Sequence, residues 1–274
     1  MNGVYIGFVV EGKGESMKEI MKELHVEPAT YGKYTQVSPG ETYNGNWQIG
    51  AVLEDVIQSG AVFQPAIMTK TNAGFTWNDN HQAVAVARAL RKFTDANVTV
   101  WARFQHEVNW YVRDGTYVMS KKEYKEAWKV FAKAIKDIAP KVKLFWTPNV
   151  ASGKNAMDEY KEWEPEDFDE VVDIVGIDWY PKTQSEATKD NFVKIMKDFH
   201  DKYASDRRPF ALAEAGLHYE ASHDMRVNWL DHMTQAKKEL PHFLSLTWYN
   251  CKKEWDYKLV GHGLNTYKLR QKLT

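Results

Sequence analysis

Short apolar runs alternate with longer amphipathic stretches along the 274 residues of the chain. The short runs are rich in β-branched and aromatic residues, which favour strands, and turn residues bound most of them. They predict eight strands, at residues 4–10, 30–36, 61–69, 98–105, 143–148, 171–180, 210–213 and 243–249.

Helical patterns fill the gaps between these runs. Ser16-Met-Lys-Glu19 and Ser120-Lys-Lys-Glu123 have the spacing of capping boxes, in which a hydroxyl and a carboxylate satisfy free backbone N–H groups. Apolar spacing of three and four predicts further helices, at residues 80–93, around 192–199, and near 47–58, 158–168 and 225–239. Alternating strands and helices in a chain of this length predict an α/β protein formed by a single (β/α)8 TIM barrel, with residues 1–274 as one domain.

Two of the predicted strands lead into a glutamate. These segments are Val98-Thr-Val-Trp-Ala-Arg-Phe-Gln-His-Glu107 and Pro209-Phe-Ala-Leu-Ala-Glu214. The carboxyl ends of all barrel strands meet at one rim, so the two carboxyl groups are expected to meet there. Side-chain alternation predicts that Arg103 faces the barrel axis with Glu107, and that Phe210 and Leu212 face it with Glu214. The intervening alanines of strand seven are then expected to face the helices.

Two carboxyl groups about 5 Å apart are what retaining glycoside hydrolysis requires. One protonates the leaving oxygen, and the other attacks the anomeric carbon as an anion. His106 and neighbouring aromatic residues are expected to desolvate Glu107 and raise its pKa. Arg103 and Tyr180 are expected to donate hydrogen bonds to ionised Glu214.

The segment Arg103-Phe-Gln-His-Glu-Val-Asn109 resembles the Arg-x-x-His-Glu-Met-Asn motif of family 26 glycoside hydrolases, which belong to clan A. Segments similar to strands five to eight of that family follow in order: Phe145-Trp-Thr-Pro-Asn149, Val172-Asp-Ile-Val-Gly-Ile-Asp-Trp-Tyr180, Phe210-Ala-Leu-Ala-Glu-Ala-Gly216 and Leu246-Thr-Trp248. The resemblance is weaker over the first hundred residues.

The resemblance implies retention of anomeric configuration, with Glu107 as acid/base and Glu214 as nucleophile. It further implies that His106 orients the glutamate pair and that Tyr180 donates to the nucleophile. Asp178, on the same predicted strand as Tyr180, is assigned a supporting role.

The substrate that the resemblance most often implies is β-1,4-mannan. Trp110 stands where the family usually has glycine, and Val108 where it has methionine, so the loop on the leaving-group side differs. Mixed-linkage β-1,3-1,4-glucan and β-1,3-xylan, which related members cleave, stay open as substrates.

Aromatic and amide side chains near the strand ends are candidates for contacts with sugars. Tryptophan rings can stack on the C–H faces of pyranoses, as aromatic side chains combine a large apolar face with a polar edge. The candidates are Trp110, Trp146, Trp179 and Trp248 at strand ends, Trp77 in the loop after strand three, and Asn149 after strand five.

Composition limits the classes of partner. With 36 basic and 37 acidic residues the formal charge is −1, so nucleic-acid binding through a basic face is not expected. The apolar runs are too short for a membrane span, and the single cysteine, Cys251, excludes an intramolecular disulfide. We expect a monomer that acts on a polysaccharide or oligosaccharide without a cofactor or metal. The N-terminus lacks the features of a signal peptide, so a secreted protein without its leader is expected, with a cytoplasmic one as the alternative.

Two rival functions remain at this stage. A carbohydrate-binding barrel would bind sugars without turnover, and Glu214→Ala would leave that binding unchanged. A metal-assisted hydrolase or lyase would lose its activity to a chelator. The histidines lack the His-Glu-x-x-His spacing of zinc hydrolases, and Gly12-Lys-Gly14 lacks the spacing of a phosphate loop and is interpreted as a turn.

Overall fold

The computed structural model describes residues 1–11, 15–151, 153, 155–261 and 263–273. Eight parallel strands, hydrogen-bonded in chain order from the first to the eighth and back to the first, close into a barrel. The predicted TIM barrel is therefore confirmed. The strands are β1 Tyr5–Val9, β2 Thr30–Val37, β3 Val62–Thr69, β4 Trp101–Phe104, β5 Lys143–Trp146, β6 Ile174–Val175, β7 Phe210–Ala215 and β8 Phe243–Tyr249. The turn predicted at Gly12-Lys-Gly14 lies outside the described residues.

Helices follow the strands and surround the barrel. Their bounds are α1 Met17–Leu24, α2 Leu53–Ser59, α3 His81–Asp95, α4 Val108–Tyr111, α5 Lys121–Ile138, α6 Ala156–Trp163, α7 Phe168–Val171, α8 Lys189–Tyr203, α9 His223–Gln235 and α10 Tyr267–Leu273. At α5 the full capping box is present, whereas at α1 the Ser16 hydroxyl accepts a hydrogen bond from the Glu19 amide.

Two elements differ from the sequence-based expectation. The predicted sixth strand, residues 171–180, contains the end of α7 and only a two-residue β6, because the chain continues beside its neighbours through isolated bridges. The single helix predicted near residues 158–168 is instead two short helices, α6 and α7.

The barrel axis is lined by alternate residues of each strand. The Thr247 hydroxyl lies 2.7 Å from that of Thr30 and donates to Gln64 Oε1 at 2.7 Å, which joins β8, β2 and β3 across the interior. Gly7 lies between these strands, and a Cβ there would come within 1.9 Å of Thr30 Oγ1. Glycine at this position therefore allows the hydroxyl pair to meet.

Strand β7 contradicts the predicted alternation. Phe210 packs against Phe199 of α8 at 6.2 Å, so it faces the helices. Ala211 and Ala213 instead share a buried cluster with Phe145 and Ile174. Phe210 and the two alanines therefore lie on the faces of β7 opposite to those predicted for them.

A β-bulge turns the end of β7 toward the barrel axis. Leu212 pairs with Leu246, but the next pair joins Ala215 to Trp248, so three steps on β7 match two on β8. The extra residue resets the alternation after Ala213, and Glu214 faces inward as predicted. The orientation predicted for Glu214 was right, but the regular alternation used to derive it was wrong.

Candidate active site

The end of β4 directs two consecutive side chains, those of His106 and Glu107, toward the barrel mouth. Gln105 and Glu107 have φ angles of +47° and +52°, in the left-handed region that residues other than glycine rarely adopt. Because of these two conformations, His106 reaches the same site as Arg103 and Glu107, although its parity on a regular strand would point it away. Backbone strain of this kind clusters at functional sites.

Glu214 accepts hydrogen bonds from three elements of the barrel. Arg103 Nη1 of β4 donates to Oε1 at 2.8 Å, and the Tyr180 hydroxyl after β6 donates to Oε2 at 3.0 Å. The Tyr34 hydroxyl of β2 donates a third bond. His106 Nε2 lies 3.6 Å from Oε1. These contacts agree with the donors predicted from the sequence and add Tyr34.

Arg103 connects both glutamate-bearing strands to Asp178. Its Nε donates to Thr147 Oγ1 at 3.2 Å, and its Nη2 donates to Asp178 Oδ2. Asp178 Oδ1 accepts from the Glu214 backbone N–H at 3.0 Å. Asp178 thus fixes both the guanidinium of Arg103 and the backbone of Glu214.

Three buried carboxyl groups converge beside this arginine. One oxygen from each of Glu107, Asp178 and Glu214 lies within 4.8 Å of the other two. Such a group could hold a metal ion by its spacing. The guanidinium of Arg103, however, already bonds two of the three carboxyl groups and supplies positive charge at this point.

Glu107 is the protonated member of the glutamate pair. Burial, followed by the charge of Glu214, raises the pKa of Glu107 to about 8. Arg103 and a hydrogen bond to the Asn149 side chain act in the opposite direction but are smaller than burial. Glu107 therefore keeps its proton at neutral pH, as expected from the predicted desolvation of its carboxyl group.

Glu214 is the ionised member of the pair. Burial acts to raise its pKa, but the charge of Arg103 and the hydrogen bonds from Tyr34 and Arg103 together hold the pKa below its ordinary value of 4.5. His106 stays neutral, because burial and the adjacent Arg103 lower the pKa of its imidazole to about 3. The two glutamates thus occupy opposite protonation states at neutral pH.

Asn109 connects α4 to the loop after β5. Its Oδ1 accepts from the Asn149 backbone N–H at 2.8 Å, and its Nδ2 donates to the Asn149 carbonyl at 3.0 Å. The same Nδ2 donates to Glu159 of α6 at 2.7 Å. Asn109 therefore positions Asn149, whose side chain bonds Glu107.

Three of the tryptophans predicted at the mouth face the outer helices instead. Trp146 is 1% exposed and packs against Phe199 at 5.6 Å, and Trp179 packs against Trp229 at 5.4 Å. Trp248 is fully buried and donates its indole N–H to the Tyr257 carbonyl at 2.7 Å. The expectation that these three stack on sugar is wrong, because each alternates with a residue that points inward.

Trp110 and Trp77 are the predicted tryptophans that solvent reaches. Trp110 belongs to α4, directly after Glu107, and is 42% exposed, while Trp77 in the loop after β3 is 56% exposed. Both lie in segments that follow the carboxyl ends of strands, where they can present a flat apolar face to a ligand.

The sequence-based site omitted two tyrosines that the structure brings to the site. Tyr34 lies 5.5 Å from the His106 ring, and Tyr249 packs edge-on against Tyr180 at 6.1 Å. Burial, followed by the charge of Glu214, raises the pKa of Tyr34 and of Tyr180 well above its ordinary value, so both hydroxyls stay donors. The inward parity of β2 and β8 is the signal that could have identified Tyr34 and Tyr249.

The chain matches one family model and shares its fold with several solved structures. The model of glycosyl hydrolase family 26 matches residues 63–268. No curated protein sequence matches the chain. Among solved structures, a modular endo-β-1,4-mannanase from Cellulomonas fimi gives a TM-score of 0.72 at 16% identity, over 99% of this chain and 70% of that chain.

Two further structures are similar at comparable identity. GH26C from a Muricauda species gives a TM-score of 0.66 at 17% identity, over 99% of this chain and 85% of that chain. The Bacillus subtilis mannanase BCman gives 0.57 at 17% identity, over 96% and 85%. These structures support the barrel fold, and the family model covers most of the chain. The chain therefore belongs to glycosyl hydrolase family 26 and is a glycoside hydrolase.

Proposed function

We propose that the chain is a retaining endo-β-1,4-mannanase in which Glu214 is the nucleophile and Glu107 the acid/base. The observation that carries this proposal is the pair itself. Carboxyl oxygens of the two residues approach within 4.8 Å, and their pKa values are shifted in opposite directions. A short separation is typical of retaining enzymes, since inverting enzymes need room for a water between the groups.

In the first step, the Glu214 carboxylate attacks the anomeric carbon while Glu107 transfers its proton to the departing glycosidic oxygen. The C–O bond to the leaving sugar breaks and a glycosyl ester on Glu214 forms. Tyr34, Tyr180 and Arg103 orient the attacking carboxylate. Asn149 supports the side chain of Glu107 through its hydrogen bond.

The second step follows from the charge that the first step removes. The negative charge of Glu214 is, after burial, the largest cause of the raised pKa of Glu107. Formation of the ester neutralises this charge, so the pKa of Glu107 falls and the residue becomes a carboxylate able to accept a proton. Water then attacks the anomeric carbon, Glu107 takes a proton from it, and Glu214 is released.

Mannan is proposed as the substrate because two of the structurally similar proteins are mannanases. Trp110 and Trp77 offer exposed aromatic faces for sugar rings of the polymer. Mixed-linkage glucan and β-1,3-xylan are the competing substrates within the same mechanism.

The test is release of reducing ends from mannan, glucomannan, mixed-linkage glucan and β-1,3-xylan, run beside Glu107→Ala and Glu214→Ala. We expect mannan to be cleaved in its interior, with the β-anomer as the first product by NMR. Activity on another polymer alone would overturn the substrate. An initial α-anomer, or full activity of either variant, would overturn the mechanism.

A further inference from the structure

A lysine at the mouth of the barrel has no anionic partner among the residues that the structure describes. Lys253, in the loop after β8, places its ammonium 5.2 Å from the ring centroid of Tyr249. Tyr249 in turn packs against Tyr180 and Tyr34, which donate to Glu214. In the described part of the chain, no carboxylate lies within ion-pair distance of Lys253.

The loop that carries Lys253 is held in place on both sides. Lys252 and Asp256 form an antiparallel bridge, the Lys253 N–H donates to the Trp255 carbonyl at 3.1 Å, and the Tyr257 N–H donates to the Cys251 carbonyl at 3.1 Å. The backbone that carries the ammonium is therefore fixed beside the site.

The acidic residues of this loop already have partners. Glu254 accepts a hydrogen bond from the Tyr257 hydroxyl at 2.7 Å, and Asp256 lies 3.2 Å from Arg226. The charge of Lys253 is thus left for the cleft, where it contributes to lowering the pKa of Glu107 and of His106, after burial and nearer charges.

A substrate carboxylate would meet repulsion from ionised Glu214 unless a cation offsets it. Lys253 is such a cation. The ammonium carries three hydrogen-bond donors, and those directed away from the Tyr249 ring can reach a ligand. A neutral sugar has no charge that could pair with the ammonium of Lys253, whereas a uronic acid unit has a carboxylate that could.

We propose that Lys253 determines specificity by binding a carboxylate of the substrate near the cleaved bond, so that the enzyme prefers a β-linked polysaccharide carrying uronic acid units. This inference rests on the proposed glycosidase function and narrows its substrate class.

The experiment compares one polymer in two charge states. The probes are mannan and the same mannan with part of its C6 hydroxymethyl groups oxidised to carboxylates. Lys253→Met is compared with Lys252→Met, a matched control that removes the same charge from the neighbouring exposed position. Initial rates at low salt and at about 0.5 M NaCl give kcat/KM for both polymers.

We expect the wild type to prefer the oxidised polymer by about threefold to tenfold at low salt, and high salt to remove the preference. Lys253→Met should abolish the preference, while Lys252→Met should keep it. Wild-type preference for neutral mannan, or equal effects of the two substitutions, would overturn the role of Lys253. In those cases, cleavage that still needs Glu107 and Glu214 would leave the proposed function intact. If neither polymer nor any other glycan is cleaved, both proposals fail.

Discussion

The ends of β4 and β7 carry the two glutamates, and the chain brings each into the site by a different departure from regular structure. At β4, left-handed conformations at Gln105 and Glu107 direct two successive side chains to the mouth. At β7, a bulge after Leu212 redirects a single residue, Glu214.

The two strand ends differ in the groups that they bring to the site. The β4 turn also brings in His106, and so places a neutral ring beside the ionised glutamate. The β7 bulge leaves the backbone N–H of Glu214 bonded to Asp178, which fixes the backbone of the proposed nucleophile. The proposed acid/base thus lies on a strained turn, whereas the proposed nucleophile lies on a hydrogen-bonded strand.

Removing either carboxyl should distinguish the two strand ends most strongly. We expect Glu214→Ala to lower kcat by about 10⁴-fold or more on every substrate, since no glycosyl ester can form. Glu107→Ala should retain the first step on an aryl mannoside with a good leaving group, and azide should restore turnover.

The configuration of the azide product provides the readout. Glu107→Ala should yield the β-mannosyl azide, and Glu214→Ala the α-anomer, as seen by NMR. The reverse pairing would exchange the roles of β4 and β7.

Removing the cation shared by the two strand ends should have the next largest effect. Arg103→Met is expected to lower kcat/KM by about 10²–10³-fold, and to destabilise the fold by roughly 3–5 kcal/mol, because Asp178 and Glu214 would stay buried without a partner. Arg91→Met, which breaks an exposed pair with Asp95, is the control and should change little. Equal urea midpoints for the two variants would contradict this.

The stability of Glu107→Gln should depend on pH. The folded-state pKa of Glu107, about 8, lies above its ordinary value of 4.5, so the proton stabilises the wild type at low pH and this contribution is lost as pH rises toward 8. Glutamine does not titrate. The variant should therefore gain on the order of 4 kcal/mol relative to wild type between about pH 5 and about pH 9. Thermal melts that differ by a constant amount would exclude the raised pKa.

Tyr34→Phe should move the acidic side of the pH profile. The wild-type kcat/KM is expected to be bell-shaped, with the acidic limb below 4.5 from Glu214 and the basic limb near 8 from Glu107. Loss of the Tyr34 hydrogen bond should move the acidic limb to higher pH and leave the basic limb in place. If only the basic limb moved, Tyr34 would act on Glu107 and not on Glu214, which would contradict the prediction.

The smallest expected effects come from the strained turn itself. Gln105→Asn should be tolerated, because asparagine adopts positive φ more readily than most residues. Gln105→Val should destabilise by about 1–2 kcal/mol, since a β-branched residue fits this conformation poorly. Urea unfolding would measure both, and equal midpoints would indicate that the turn relaxes.

The sequence predicted the framework well because strand and helix patterns repeat along the chain. That Arg103 and Tyr180 would donate to Glu214 also followed from strand ends that share one rim. Composition and spacing show where on the chain the two glutamates lie. They do not show how each glutamate turns toward the barrel axis.

The predictions of side-chain direction were wrong where a shift of one residue along a strand exchanges its two faces. Trp146, Trp179 and Trp248 all lie near the strand ends, yet each is next to an inward residue and is buried. Trp146 and Trp179 pack against the outer helices, and Trp248 donates to the Tyr257 carbonyl. The inward parity of Tyr180 already excluded Trp179. The bulge in β7 has no comparable signal, because pairing with β8 determines where the extra residue falls.

The outward orientation of these three indoles has a consequence for redesign. Their aromatic surface anchors the outer layer, while the indoles that face solvent at the mouth, Trp77 and Trp110, belong to connecting segments. Grafting new segments after β3 and β4 would therefore change which polymers dock, and the scaffold that aligns the reacting groups would keep its packing.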